Sequence, residues 1–256
     1  MPPESLSLVV PVYNEADNFP NLVREVERFV PQPFTLNVVY DFDGDTTVPV
    51  ARELAASRPW LRLVKNRYKG VVGALRTGFE VVARGPVLVV MADLSDDLRD
   101  VPRMLELYRG GASVVCPSRY CPGGKQLGGP WLKRTMSRAA GLSLHLLVNF
   151  PTRDATNNFR LYDAALVNDL GVESVGGFEL ALELTAKAFR RGAKIAELPT
   201  TWRDRVAGES RFNLRKWLPK YGYWYGYALL SGIERALGLL PGPRVGPASR
   251  APSGAG

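Results

Sequence analysis

A chain of 256 residues with 46% hydrophobic and 23% charged content can bury the core of one sizeable domain, and its ordinary composition excludes fibrous and wholly disordered classes. Its formal net charge of +8 and pI near 9.6 suit a phosphate-bearing partner, whether nucleotide, nucleic acid or anionic lipid surface. Cys116 and Cys121 form neither a disulfide framework nor metal-ligand spacing. The opening MPPESLSLVVPVYNE lacks a basic n-region and a signal-length apolar run, so a cytoplasmic location is expected.

In chain order, apolar runs bounded by turn residues predict strands at Leu6–Val12, Phe34–Tyr40, Leu61–Val64, Pro86–Met91 and Ala112–Cys116. Amphipathic segments at Phe19–Phe29, Val48–Ala56 and Val71–Ala83 separate the first four. This βαβ alternation predicts an α/β fold with a mostly parallel sheet and flanking helices, whose active edge lies at the strand C-termini. Beyond Cys116 come a Gly/Pro-rich loop, a long segment Trp131–Phe150 and a helix-like Phe178–Phe189, which together predict a helical acceptor-side region. One domain is expected over residues 1–240, including an amphipathic aromatic helix region at 212–240. The tail Pro241–Gly256, dense in Pro, Gly, Ser and Ala, has little to bury and is expected to be disordered.

Several loops carry chemistry of their own. After the second predicted strand, Asp41 and Asp43 offer carboxylates to base N–H groups, and Gly44 allows a sharp turn. Asp45 reads as the cap of the helix that begins near Thr46. The basic loop Lys65–Phe79 runs into a helix and suits phosphate, with Lys69 and Arg76 as nucleotide contacts. The four-residue spacing of Gly70, Ala74 and Gly78 also fits close helix–sheet packing. His145, the only histidine, lies on an apolar helical stretch and reads as a packing residue.

The motif order over about residues 6–215 resembles that of family 2 glycosyltransferases of the GT-A fold, and most of all the dolichol- and polyprenyl-phosphate mannosyltransferases. The resemblance rests on Pro11-Val12-Tyr13-Asn14-Glu15, on Ala92-Asp93-Leu94-Ser95, on Pro117-Ser118-Arg119-Tyr120, on Asp154 to Arg160, and on Asp204-Arg205 to Ser210-Arg211. It implies that residues 11–15 hold the base and ribose of a nucleotide-sugar donor, that Ala92 also belongs to the nucleotide-sugar site, and that Asp93 meets the diphosphate. Asp93 and Ser95 are then ligands of Mg²⁺ or Mn²⁺, although Met91 stands where the family's Asp-x-Asp motif has its first carboxylate. Arg205 and Arg211 are implied to act on the leaving diphosphate. Ser118, Arg119, Arg138 and Arg160 are implied to hold the phosphate of a polyprenyl phosphate.

The implied reaction is inverting sugar transfer from a GDP- or UDP-sugar to that lipid phosphate at the inner face of the membrane. The aromatic residues near Trp224, flanked by Arg215, Lys216 and Lys220, suit a peripheral membrane contact. Two alternatives stand beside it. One is a soluble enzyme glycosylating a hydroxyl, with Glu179 or Asp154 as the base; the other is a sugar-nucleotide-binding protein without turnover. No recognition motif supports a nucleic-acid partner.

Overall fold

The computed structural model describes residues 5–175, 179–204 and 214–240. Strand β1 (Leu6–Val12), helix α1 (Phe19–Phe29) and strand β2 (Phe34–Tyr40) occupy the segments that periodicity predicts. Helix α2 (Thr47–Ala55), strand β3 (Leu61–Lys65), helix α3 (Gly70–Glu80) and strand β4 (Pro86–Val89) follow, within three residues of their expected ends. Strand β4 stops short of Met91 because the Met91 N–H turns away to the Asp96 carboxylate, 3.0 Å distant. The second half contains α4 (Val101–Arg109), β5 (Val114–Ser118), β6 (Lys125–Leu127) and α5 (Trp131–Val148). It continues with β7 (Arg160–Asp163), α6 (Ala164–Leu170), α7 (Leu180–Arg190), β8 (Ile195–Pro199), β9 (Thr201–Arg203) and α8 (Leu214–Ala236).

Seven strands form one sheet in the order β3-β2-β1-β4-β7-β5-β8, and β6 pairs with β9 in a small second sheet. All pairings in the large sheet are parallel except those of β7, which runs antiparallel between β4 and β5. Alternate strand residues feed two cores, one around Leu8, Val10 and Leu36 and the other around Val9, Val39 and Phe79, as expected of a sheet covered on both faces. A third apolar cluster joins α5, α7 and α8 through Leu144, Phe150, Leu182 and Trp224.

Small residues set how closely the helices approach. A Cβ on Gly78 would lie 2.1 Å from Val9 Cγ1, so the Gly70–Ala74–Gly78 spacing serves packing of α3 on β1 at its last member. A Cβ on Gly141 would lie 2.0 Å from the Arg153 carbonyl oxygen. Helix α5 therefore rests directly on the loop that carries Asp154.

Among the described residues no helix is long and apolar enough to cross a membrane. The expectation that Trp224 faces a bilayer is corrected: it is buried, 4% exposed, under Lys187 and against the rings of Tyr223 and Tyr227. Burying an indole in the α5–α7–α8 cluster removes its large apolar surface from water.

Candidate active site

The loops after β1 and β2 are tied to one another at the C-terminal edge of the sheet. Asn14 takes a left-handed φ of 56°, and its N–H donates to both oxygens of Asp45 at 3.1 Å. The Asn14 Oδ1 accepts from Thr46 N–H at 3.1 Å, and Glu15 N–H donates to Thr47 Oγ1 at 2.9 Å. Asp45 also accepts from Thr47 N–H at 2.8 Å. It is thus the cap expected of it and a clamp on the first loop besides.

Asp41 ties this edge to the start of α3, accepting from Asn66 Nδ2 at 2.6 Å and Gly70 N–H at 2.9 Å. Asp43 pairs with Lys65 at 2.5 Å on the surface. Pro11 and Val12 are buried at the end of β1, whereas Tyr13 and Phe42 are exposed aromatics with ring centroids 5.6 Å apart. Phe42 was not singled out by sequence; an aromatic between two aspartates in a turn was its available signal. Lys69 is exposed beside the N-terminus of α3. Arg76 lies farther along that helix, pairing with Glu80 at 3.2 Å and stacking over Tyr68 at 4.2 Å.

Beyond β4 the chain makes a tight turn through Ala92, Asp93 and Ser95, all buried. Leu94 adopts φ 61°, a sparsely populated conformation for a branched side chain and one that concentrates at functional loops. Asp93 Oδ1 accepts from Ser95 N–H at 3.2 Å. Burial, followed by the nearby Asp93 charge, pushes the Asp96 carboxyl up to about 8. Arg203 of β9 donates its N–H to the Ser95 carbonyl at 3.1 Å, fastening the small sheet to this turn. Arg205 and Arg211 lie outside the described residues.

The metal test is one of donor chemistry. Among the described residues no cluster of three or more His, Cys, Asp or Glu is arranged to hold an ion. A cation bridging a diphosphate takes most of its oxygens from phosphates and water and needs only one or two protein carboxylates. Asp93, with Ser95 two residues on in the same buried turn, fits that reduced requirement.

Past the end of β5 a cavity of about 320 Å³ is lined by Arg119, Tyr120, Lys125, Leu127, Arg134 and Arg138, among others, with no acidic side chain. Arg119 is bound bidentately to the fully buried Asp154, Nε to Oδ2 at 2.7 Å and Nη2 to Oδ1 at 2.8 Å. Burial alone would raise the Asp154 pKa, but the Arg119 guanidinium outweighs it and holds the carboxyl below its ordinary value. Asp154 is therefore occupied as an ion-pair partner and not poised as a base. Glu179, the other expected base, lies at the start of α7 and lines a separate cavity of about 210 Å³ with Lys220 and Trp224.

Two expectations are corrected here. Arg160 does not reach the cavity: it is fully buried, with Nη1 donating to Ala181 O at 2.9 Å and to Thr185, and Nη2 to the Asp154 carbonyl. Ser118 is also fully buried, and its hydroxyl accepts from Tyr120 N–H at 3.3 Å and Cys121 N–H at 3.1 Å. A turn that needs both acceptor positions leaves that oxygen facing its own backbone. Lys125 and Arg134, which line the cavity, were not assigned to the acceptor from sequence. His145 bonds the Phe150 carbonyl at 2.8 Å, in keeping with a packing role.

A mostly parallel sheet with carboxylate-bearing loops at its strand ends and a basic cavity beside them fits a nucleotide-sugar-dependent transferase of the GT-A class. The chain belongs to glycosyl transferase family 2, whose model matches residues 7–171, and it is a glycosyltransferase. It is 30% identical over 249 residues to a polyprenol monophosphomannose synthase of Mycolicibacterium smegmatis, covering 93% of this chain and 92% of that one. It is 31% identical over 211 residues to an undecaprenyl-phosphate mannosyltransferase of Micrococcus luteus, covering 80% and 86% respectively.

Solved structures share the fold. Glucosyl-3-phosphoglycerate synthase of Mycobacterium tuberculosis, in complex with Mn²⁺, UDP and glucosyl-3-phosphoglycerate, superposes with a TM-score of 0.60 at 18% identity over 93% of this chain and 81% of that one. Mannosyl-3-phosphoglycerate synthase of Rubrobacter xylanophilus gives 0.61 at 20% identity, covering 95% and 78%.

Proposed function

We propose that this enzyme transfers mannose from a nucleotide-diphosphate sugar to the phosphate of a polyprenyl phosphate, with inversion at the anomeric carbon. The carrying observation is the cationic cavity. Arg119 is neutralised by Asp154, but Lys125, Arg134 and Arg138 have no carboxylate partner among the described residues. Three uncompensated cations suit a phosphate monoester, which carries roughly −1.5 to −2 charges at neutral pH. The names of the relatives supply the lipid and the sugar.

A phosphate acceptor is already anionic, so no side chain need deprotonate it, consistent with the engagement of Asp154 by Arg119. The arginines orient its oxygen for in-line attack, in which the bond from the anomeric carbon to the nucleotide diphosphate breaks as the new one forms. Residues Pro11 to Glu15, with Asp41 and Asp43, hold the nucleoside in this reading, and Lys69 and Arg76 lie on its phosphate side. Asp93 and Ser95 would hold Mg²⁺ or Mn²⁺ beside Ala92, and the cation would neutralise charge on the leaving diphosphate. Arg205 and Arg211 are assigned the same leaving group.

The lipid chain leaves the cavity past exposed apolar side chains. Leu127 is 48% exposed at the cavity, and Trp131 and Leu132 at the start of α5 are 75% and 46% exposed. This rim, in place of Trp224, is the reading's membrane contact. Kinetics with a short-chain polyprenyl phosphate test the assignment: Arg138→Ala and Arg134→Ala should each raise the acceptor KM about tenfold, the loss of one charge-assisted contact, with the donor KM unchanged. An unchanged acceptor KM in both variants would remove the cavity from the acceptor site.

A further inference from the structure

We propose that Asp154 is a positioning residue that fixes Arg119 so that one guanidinium nitrogen, Nη1, is presented to the acceptor phosphate. The inference rests on the acceptor reading of the cavity and adds to it the device that organises the site. A guanidinium offers five N–H donors in a rigid plane, and where the three on Nε and Nη2 point decides what the two on Nη1 can do.

Every Arg119 N–H donor on Nε and Nη2 is consumed internally. Nε and Nη2 bind the two oxygens of Asp154 at 2.7 and 2.8 Å, and the Arg119 backbone N–H donates to Oδ2 at 3.0 Å. Nη2 also reaches Ser137 Oγ at 3.2 Å and Thr156 Oγ1 at 3.1 Å, and these two hydroxyls bond each other. Nη1 alone has no hydrogen-bond partner among the described residues, while Arg119 lines the cavity.

The clamp is itself held from behind. Asp154 N–H donates to Thr152 Oγ1 at 3.0 Å, and its carbonyl accepts from the buried Arg160. Gly141 lets α5, which carries Arg134 and Arg138, press onto the Arg153–Asp154 backbone. Arg160 therefore serves the site at one remove, through the Asp154 main chain. A bidentate carboxylate holds a guanidinium plane in orientation as well as place, which a single hydrogen bond does not.

The experiment combines a double-mutant cycle with a spectroscopic readout, using the full chain. Asp154→Asn should raise the KM for short-chain polyprenyl phosphate about tenfold, while the donor KM stays at the wild-type value. Because Asp154 acts through Arg119, the pair Arg119→Ala/Asp154→Asn should be no worse for the acceptor than Arg119→Ala alone. In ¹H–¹⁵N spectra the Arg119 Nε–H signal, identified by its loss in Arg119→Lys, should be exchange-protected in wild type and lose protection in Asp154→Asn.

If Asp154→Asn does not fold, Thr156→Val removes one Nη2 contact with the ion pair intact and should raise the acceptor KM about threefold, half a logarithmic unit below the loss of a full contact. Multiplying effects in the cycle, equal losses in donor and acceptor KM, or a protected Nε–H in Asp154→Asn would overturn the proposal. Arg119→Ala leaving the acceptor KM unchanged would instead defeat the acceptor reading, whatever the spectra show.

Discussion

Charge alone does not reveal what an arginine does here, because Arg119, Arg134, Arg138 and Arg160 have different surroundings. Arg134 and Arg138 line the cavity, Arg119 lines it while clamped by Asp154, and Arg160 is enclosed with its partners 6 and 21 residues away in sequence. The Ala181 carbonyl belongs to α7 and could not be read from the motif around Arg160. Glu179 shows the complementary case of a carboxylate buried with neither oxygen hydrogen-bonded among the described residues. Burial raises its pKa above the ordinary 4.5, with Lys220 opposing. A raised carboxyl pKa gives stability that is full below the unfolded pKa and is lost as pH rises through the folded one. Glu179→Gln should therefore be more stable than wild type by about 1 kcal/mol at pH 8 and no more stable at pH 4. Urea unfolding at the two pH values reads this, and an equal difference at both would contradict it.

The elements that sequence reads well are those with a clear period. Strands β1 and β2 alternate into two cores, and α1 shows its buried face in Phe19, Leu22, Val23 and Val26. Strand β7 escaped notice because it has only four residues and begins with a buried arginine; its antiparallel insertion between β4 and β5 is a property of the assembled sheet. Helix α5 joins two functions, contact with the Asp154 loop at Gly141 and display of Trp131, Arg134 and Arg138. Gly141→Ala forces a Cβ toward a backbone carbonyl and should cost about 2 kcal/mol in urea unfolding, since a 2.0 Å approach cannot be relieved by a side-chain rotation. A cost under a few tenths would show that α5 yields freely. Trp131→Ser should lower binding to vesicles containing anionic lipid about tenfold, by loss of most of an indole's transfer free energy. Equal sedimentation of the two proteins with vesicles would place the membrane contact elsewhere.

At the scale of the whole molecule, the net charge of +8 is put to local use: cations gather around the cavity, while carboxylates occupy the strand ends at Asp41, Asp43, Asp45 and Asp93. The small sheet of β6 and β9 links the two regions, since β6 lines the cavity and Arg203 is bonded to the Asp93 turn. The cavity and the Asp93 turn are thereby joined through one small sheet, and the class of reaction was legible in the order of motifs even where single residues were misassigned. The lipid acceptor is the central claim, and transfer itself tests it most directly. The purified enzyme is given mannose nucleotides with Mg²⁺ or Mn²⁺, and short-chain polyprenyl phosphate, the corresponding polyprenol and 3-phosphoglycerate are compared as acceptors. The account predicts a mannosyl phospholipid of inverted anomeric configuration from the polyprenyl phosphate alone, abolished by EDTA. Transfer to the polyprenol or to 3-phosphoglycerate with none to the lipid phosphate would contradict it.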